Sequence, residues 1–67
     1  MRGAREIWRV KRDRFRRAVE RSKLTSKQVG ERIGRHEVTV RKYLNGTYQI
    51  PTLLLEYAEY ALSDHSN

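Results

Sequence analysis

The stretch "ERIGRHEVTVRKYLNG", Glu31 to Gly46, decides how this chain is read. Its centre, "VTV", sets β-branched residues in alternation as a strand does, while Gly34 and Gly46 punctuate it as helix ends do. Sorting the apolar positions separates the two readings. A strand places Val38, Val40, Lys42 and Leu44 on one face and so buries a lysine. A helix gathers Val40, Tyr43, Leu44 and Thr47, and leaves Glu37, Val38, Arg41, Lys42 and Asn45 outward. The helical period fits better. Asn45-Gly46, both tolerant of the left-handed conformation, supplies a natural stop, so the expectation is a helix over Glu37–Leu44.

The neighbouring segments follow the same logic. In "KLTSKQVGERIG", Thr25 and Gln28 have the spacing of a capping box, and Leu24 with Val29 forms a hydrophobic staple. Val29 and Ile33 share a face and Gly34 closes the segment, which predicts a short helix over 26–33. Downstream, Pro51 suits a first helical turn, and Leu54, Tyr57, Ala58, Ala61 and Leu62 form an apolar stripe that Leu53 and Leu55 widen beyond the needs of one small core. Part of this 51–62 helix is therefore expected to face a partner subunit, with a frayed polar tail over 63–67. Upstream, Trp8, Phe15, Val19 and Ser22 predict a helix from Lys11 to Arg21. The basic extension 1–10 prolongs that helix, caps the core or joins a dimer contact; the pattern does not choose. Burial of Trp8 against the last helix or a second subunit is favoured over stacking on a base.

Length and charge limit what such a chain does. With 67 residues and no cysteine it is one domain with a marginal core, lacking disulfides and thiolate metal sites, so dimerisation is the expected support. No apolar run approaches the roughly 20 residues of a membrane span, and no secretory leader is legible, which makes a cytoplasmic protein without a membrane role the expectation. The formal charge of +7 is uneven: residues 1–23 hold ten basic and three acidic side chains, whereas 51–67 hold three acidic and no basic ones. A polyanion is attracted to one side of such a molecule.

Two short helices joined by a glycine-containing turn, the first anchoring and the second presenting a polar face, make a helix-turn-helix arrangement. Residues Ser26 to Asn45 resemble the bihelical unit of the phage repressor and Cro family, also called the XRE-type helix-turn-helix family. The match rests on Leu24-Thr25, Val29-Gly30, Ile33-Gly34, Thr39-Val40, and Asn45-Gly46 followed by Pro51, and extends without a gap over about 24–62. It implies an all-α, lambda repressor-like DNA-binding domain, a compact bundle of four to five helices, with the helix-turn-helix over 24–46. Two positions depart from the family pattern. Lys23 stands where glycine is usual, and since a left-handed lysine costs on the order of 1 kcal/mol, a different turn is expected there. His36 stands where Ser or Thr caps the second helix.

The resemblance also implies that Glu37–Leu44 enters the major groove with its first turn at the base edges. The side chains agree: Arg41 or Lys42 can donate to guanine O6 and N7, Glu37 can accept from cytosine N4, Val38 can pack on a thymine methyl, and His36 can donate or accept. Backbone phosphates are assigned to Ser26 and Lys27 at the start of the first motif helix, to Arg35 in the turn, to Thr47 and Tyr48 in the following loop with Gln49 beside them, and to some of Arg12, Arg14, Arg16 and Arg17, foremost Arg12 and Arg16. Tyr43, Tyr57 and Tyr60 are assigned to core or interface.

No catalytic constellation competes, because His36 and His65 are the only histidines, there is no cysteine nucleophile, and no glycine spacing cradles a phosphate. No metal, cofactor or small-molecule ligand is expected. The expectation is thus a homodimeric regulator in a bacterial or phage-infected host, binding an inverted-repeat operator in double-stranded DNA. Anti-CRISPR-associated autorepressors of phages are similar in size and motif. The alternatives are an antitoxin that also neutralises a protein, a basic RNA-binding protein, and an activator with the same fold.

Overall fold

The computed structural model describes residues 2–65, with side chains from Glu6 to Ser63. Among these residues the chain is all α-helix: α1 (Arg2–Ser22), α2 (Ser26–Ile33), α3 (Glu37–Asn45) and α4 (Thr52–His65). The strand-like "VTV" is helical, with Val40 fully buried and Val38 45% exposed, as the helical period requires. Thr47 lies beyond that helix and is exposed, tied to Asn45 rather than packed with Val40 and Tyr43.

The core is formed by Phe15 from α1, Val29 and Ile33 from α2, Val40 and Tyr43 from α3, Ile50 from the following loop, and Leu55, Ala58 and Leu62 from α4. Phe15 meets Tyr43 edge to face, with ring centroids 6.1 Å apart and planes at 88°. Leu24, the staple residue, packs on the rim of this cluster. The capping box of α2 is complete: the Thr25 hydroxyl accepts from the Gln28 N–H at 3.2 Å and the Gln28 side chain accepts from the Thr25 N–H at 3.0 Å.

Several boundaries differ from the sequence expectation. Helix α1 begins at Arg2, not Lys11: Ala4, Arg5, Glu6 and Arg9 favour helix, no proline interrupts, and the single Gly3 falls in the first turn, where its cost is smallest. At 21 residues it is about 31 Å long, so its first turns project beyond the core they precede. Its end is closed by Ser22, which is buried, donates to the Val19 carbonyl at 2.6 Å and accepts from the Leu24 N–H at 3.2 Å. Lys23 does adopt the left-handed conformation, φ 59°, so the expected alternative turn is not used. Pro51 precedes α4 rather than opening it; its carbonyl accepts the first helical hydrogen bond, from Leu55 at 2.9 Å. The first residues of the polar tail continue the helix to His65.

Helix α4 turns most of its expected stripe inward, with Leu54 and Ala61 half-buried, but takes in Leu55 and leaves out Tyr57. Leu55, Ala58 and Leu62 are buried, whereas Tyr57 and Tyr60, assigned to core or interface, are 52% and 74% exposed. Apolar residues nearly encircle this helix, so periodicity cannot choose its rotation. Packing across the helices does: Leu55, Ala58 and Leu62 join the core with Phe15, and on the same flank of α4 the Arg14 guanidinium donates to Glu59 through Nε at 3.0 Å. The same hydrogen bond, with the charges of Glu59 and Glu56 nearby, raises the pKa of Arg14 above its ordinary value despite some desolvation.

The turn between α2 and α3 depends on a close approach. The Gly30 carbonyl accepts from the N–H of both Gly34 and Arg35, the latter at 2.8 Å, and the Arg35 carbonyl folds back against Gly30. A Cβ at position 30 would stand 2.3 Å from that oxygen. Gly34, with φ 73°, has open space where its Cβ would be. Gly30→Ala is therefore expected to destabilise the fold by clearly more than Gly34→Ala: about 2–3 kcal/mol through backbone displacement, against about 1 kcal/mol through strain alone. Urea unfolding followed by circular dichroism measures both; equal losses would contradict a steric role for Gly30.

Candidate nucleic-acid interface

Helix α3 is presented by what lies behind it. Val40 and Tyr43 are buried and Leu44 is half-buried, so Val38 and Arg41 point to solvent. His36 is the N-cap, with extended backbone and Nδ1 accepting from the Val38 N–H at 3.0 Å. With Nδ1 so engaged, the Nε2 edge is the one left for an external partner. Arg41 is held by Glu37 across one turn at 2.7 Å, so the two side chains expected at base edges are paired with each other in the free protein.

Beside the N-terminus of α3, an open concavity brings together Lys27, Arg35, His36 and Glu37, with Gly30 at its base. Lys27 comes from α2, Arg35 and His36 from the turn, and Glu31 joins Glu37 as a second carboxylate on the rim. Arg35 also donates to the Gly34 carbonyl at 2.9 Å, which holds it at the rim of the turn. Ser26 occupies the first position of α2, half-buried, and does not line this concavity.

At the other end of α3 a second cleft, of about 210 Å³, opens between α1 and the loop 46–50, with Trp8, Arg9, Arg12, Tyr48 and Gln49 around a floor of Tyr43 and Ile50. Trp8 thus lies half-exposed beside the loop rather than buried under the last helix. Arg12 packs over Gly46, and its Nε is shielded from solvent without a hydrogen-bond partner, the nearest acid being Asp13 at 4.0 Å. Arg16 donates to the Leu44 carbonyl at 2.8 Å. Both guanidinium groups therefore lie at the negative end of the α3 dipole, and Arg16 satisfies one of its terminal carbonyls, a structural role that the phosphate assignment did not include.

The loop itself is stitched to α3. Lys42 donates to the Tyr48 hydroxyl at 3.3 Å and sits 4.8 Å from its ring centroid, while the Tyr48 N–H donates to the Lys42 carbonyl at 3.1 Å. Thr47 donates from its backbone to the Asn45 side chain at 2.9 Å. Lys42 is consequently drawn toward the loop and away from Arg41. Arg9, absent from the sequence assignment, completes the cleft; its spacing of three and seven from Arg12 and Arg16 on one helix was the available signal. Arg14 and Arg17 face the other way and line the groove between α1 and α4.

No protein-family model, curated protein or solved structure matches this chain. Among the described residues, no helix is long and apolar enough to cross a membrane, and no group of three or more His, Cys, Asp or Glu is placed to hold a metal ion.

Arg16→Ala is expected to lower stability by about 0.5–1 kcal/mol without any nucleic acid present, because it removes a charge-assisted bond to the α3 terminus at a solvent-accessible site. Lys27→Ala, with no such bond, is expected to leave the melting curve within about 0.5 kcal/mol of wild type. Calorimetry of the two variants separates structural from ligand-facing cations.

Proposed function

We propose that this protein is a sequence-specific, double-stranded DNA-binding regulator of the repressor and Cro type, and that α2 and α3 act as its helix-turn-helix. The observation that carries the reading is the framing of α3. Its outward face bears Glu37, Val38, Arg41 and Lys42, and basic groups flank it at both ends: Lys27 and Arg35 before it, Arg9 and Arg12 after it.

That arrangement suits a helix lying in a major groove between two phosphate backbones. Glu37, Val38 and Arg41, with the His36 Nε2 edge, are the groups for base edges. Lys27, Arg35, Arg9 and Arg12 are the groups for phosphates, with Tyr48 and Lys42 on the loop side, where the Lys42–Tyr48 contact favours backbone over base. Ser26, Thr47 and Arg16 belong to the supporting backbone set. The Glu37–Arg41 pair holds Arg41 extended along the helix face before binding, which limits the ordering entropy lost on contact.

Control by occupancy is the simplest mechanism. Two copies place their α3 helices in successive grooves about 34 Å apart on an inverted repeat and exclude polymerase, in the cytoplasm of a bacterial or phage-infected cell. Autoregulation follows if the operator lies upstream of the protein's own gene.

A footprint on that upstream DNA at several salt concentrations tests the reading. A short protected inverted repeat is expected, with affinity falling steeply as salt rises because phosphate-bound counterions are released. Equal affinity for scrambled duplex or for structured RNA would sink the specific-regulator reading. Arg41→Ala is expected to relax specificity at one base position at about 1–3 kcal/mol, whereas Lys27→Ala weakens all sequences alike and flattens the salt slope by about one unit.

A further inference from the structure

The outer side of α4 carries an apolar stripe that the fold leaves uncovered. Leu53, Tyr57 and Tyr60 are spaced four and three apart, so they share one helix face, and they are 80%, 52% and 74% exposed. Behind them, Leu55, Ala58 and Leu62 are buried. The helix is therefore apolar on two opposite sides, a pattern that in a water-soluble chain marks contact on both.

A matching surface lies on the neighbouring flank of α1. Ile7 and Val10, each 56% exposed, lead at three- and four-residue spacing into Arg14, Arg17 and Arg21. The two helices run side by side in the same sense, since Arg14 bonds Glu59 while Arg17 and Arg21 share a groove with Leu62 and Ser63. Stepping back one turn and two from that pair sets Val10 level with Glu56, between Tyr57 and Leu53, and Ile7 level with Leu53.

We infer that this α1–α4 face is where a second copy of the chain docks, about a two-fold axis running along the seam, so that α4 of each copy covers the α1 flank of the other. The inference rests on the DNA-binding reading only in giving that reading its second half-site. Charge names the occupant. Between Thr52 and Ser63, α4 carries Glu56 and Glu59 and no Lys or Arg, whereas the α1 flank carries Arg17 and Arg21 beside Arg14, which is already paired with Glu59 of its own chain. A face that is acidic and aromatic in one half and basic and aliphatic in the other is complementary to itself under a two-fold rotation. A uniformly acidic or basic partner would be repelled by one half.

The contact is also large enough. Five exposed side chains at roughly 100–200 Å² each approach the ~800 Å² per partner of a standard interface, with neighbouring polar groups supplying the rim. Leu53 then meets Ile7, Tyr57 meets Val10, and the Tyr60 ring lies against the Arg17 guanidinium, a cation–π contact. The outward face of α3 and the concavities at its two ends stay uncovered.

Sedimentation equilibrium of the full chain without DNA, across a concentration series, tests this. Wild type is expected to dimerise, and Leu53→Lys to raise the dimer dissociation constant at least ~10-fold with helical circular dichroism unchanged. Tyr60→Lys is expected to weaken the dimer more than Tyr60→Glu, because the added cation meets the partner's arginines; Val38→Lys on α3 leaves it intact. A wild type that stays monomeric at concentrations of about 1 mM overturns the inference. So does a dimer indifferent to Leu53→Lys and Tyr60→Lys, or one hurt more by Tyr60→Glu, as stacking of α4 on α4 would give. Because no DNA is present, a dimer that fails to bind duplex sinks the DNA reading alone, and a monomer that binds it sinks this inference alone.

Discussion

The missing side chain at Gly30 lets the α2–α3 turn close. With the Arg35 carbonyl folded to a point 2.3 Å from where a Cβ would be, α3 starts directly beneath α2. The Gly30 carbonyl takes two turn N–H groups at once, so the close approach is also hydrogen-bonded. From that start the period of α3 carries Val40 and Tyr43 into the core against Phe15, and the outward direction of Val38 and Arg41 follows. Lys27 and Arg35 are neighbours of His36 for the same reason: the turn is too tight to hold them apart.

The arginines of α1 divide by flank. Arg9, Arg12 and Arg16 face the end of α3, where Arg16 bonds the Leu44 carbonyl and Arg9 and Arg12 line a cleft; Arg14, Arg17 and Arg21 face α4 and Glu59. A charge run that looks uniform in sequence is thus split by 3.6-residue periodicity into two surfaces with different chemistry. One side concentrates positive potential beside α3, and the other is balanced by acidic α4. The division keeps the positive surface beside α3 apart from the mixed-charge surface between α1 and α4.

Much of the fold was legible because the signals were local. The capping box at Thr25 and Gln28, the stops at Gly34 and Gly46 and the apolar period of Val29, Ile33, Val40 and Tyr43 each act within one or two turns, and each is present as expected. His36 caps α3 through Nδ1, although a histidine is an unusual choice there. Ile50 was missed: a single apolar residue before a proline has no period to declare it, yet it is 2% exposed. On α4 the inward stripe was right at Leu54, Ala58, Ala61 and Leu62 but its edges were not, since a helix apolar nearly all round does not say that Leu55 is buried and Tyr57 exposed. Of the candidate site, the outward residues of α3 were readable from period alone, while the placement of Arg9, the packing of Arg12 over Gly46, the capping bond of Arg16, and the tie between Lys42 and Tyr48 were not.

Sequence by itself therefore determined that the chain is helical, where α2 and α3 begin and end, and which side of α3 faces water, because capping and amphipathic period depend on neighbours a few residues apart. Tertiary structure alone decided which arginines meet which element, which edge of α4 is buried and where Trp8 rests. Those outcomes depend on pairs such as Arg14 with Glu59 and Arg16 with Leu44, 45 and 28 residues apart, and no local preference encodes a contact across that distance.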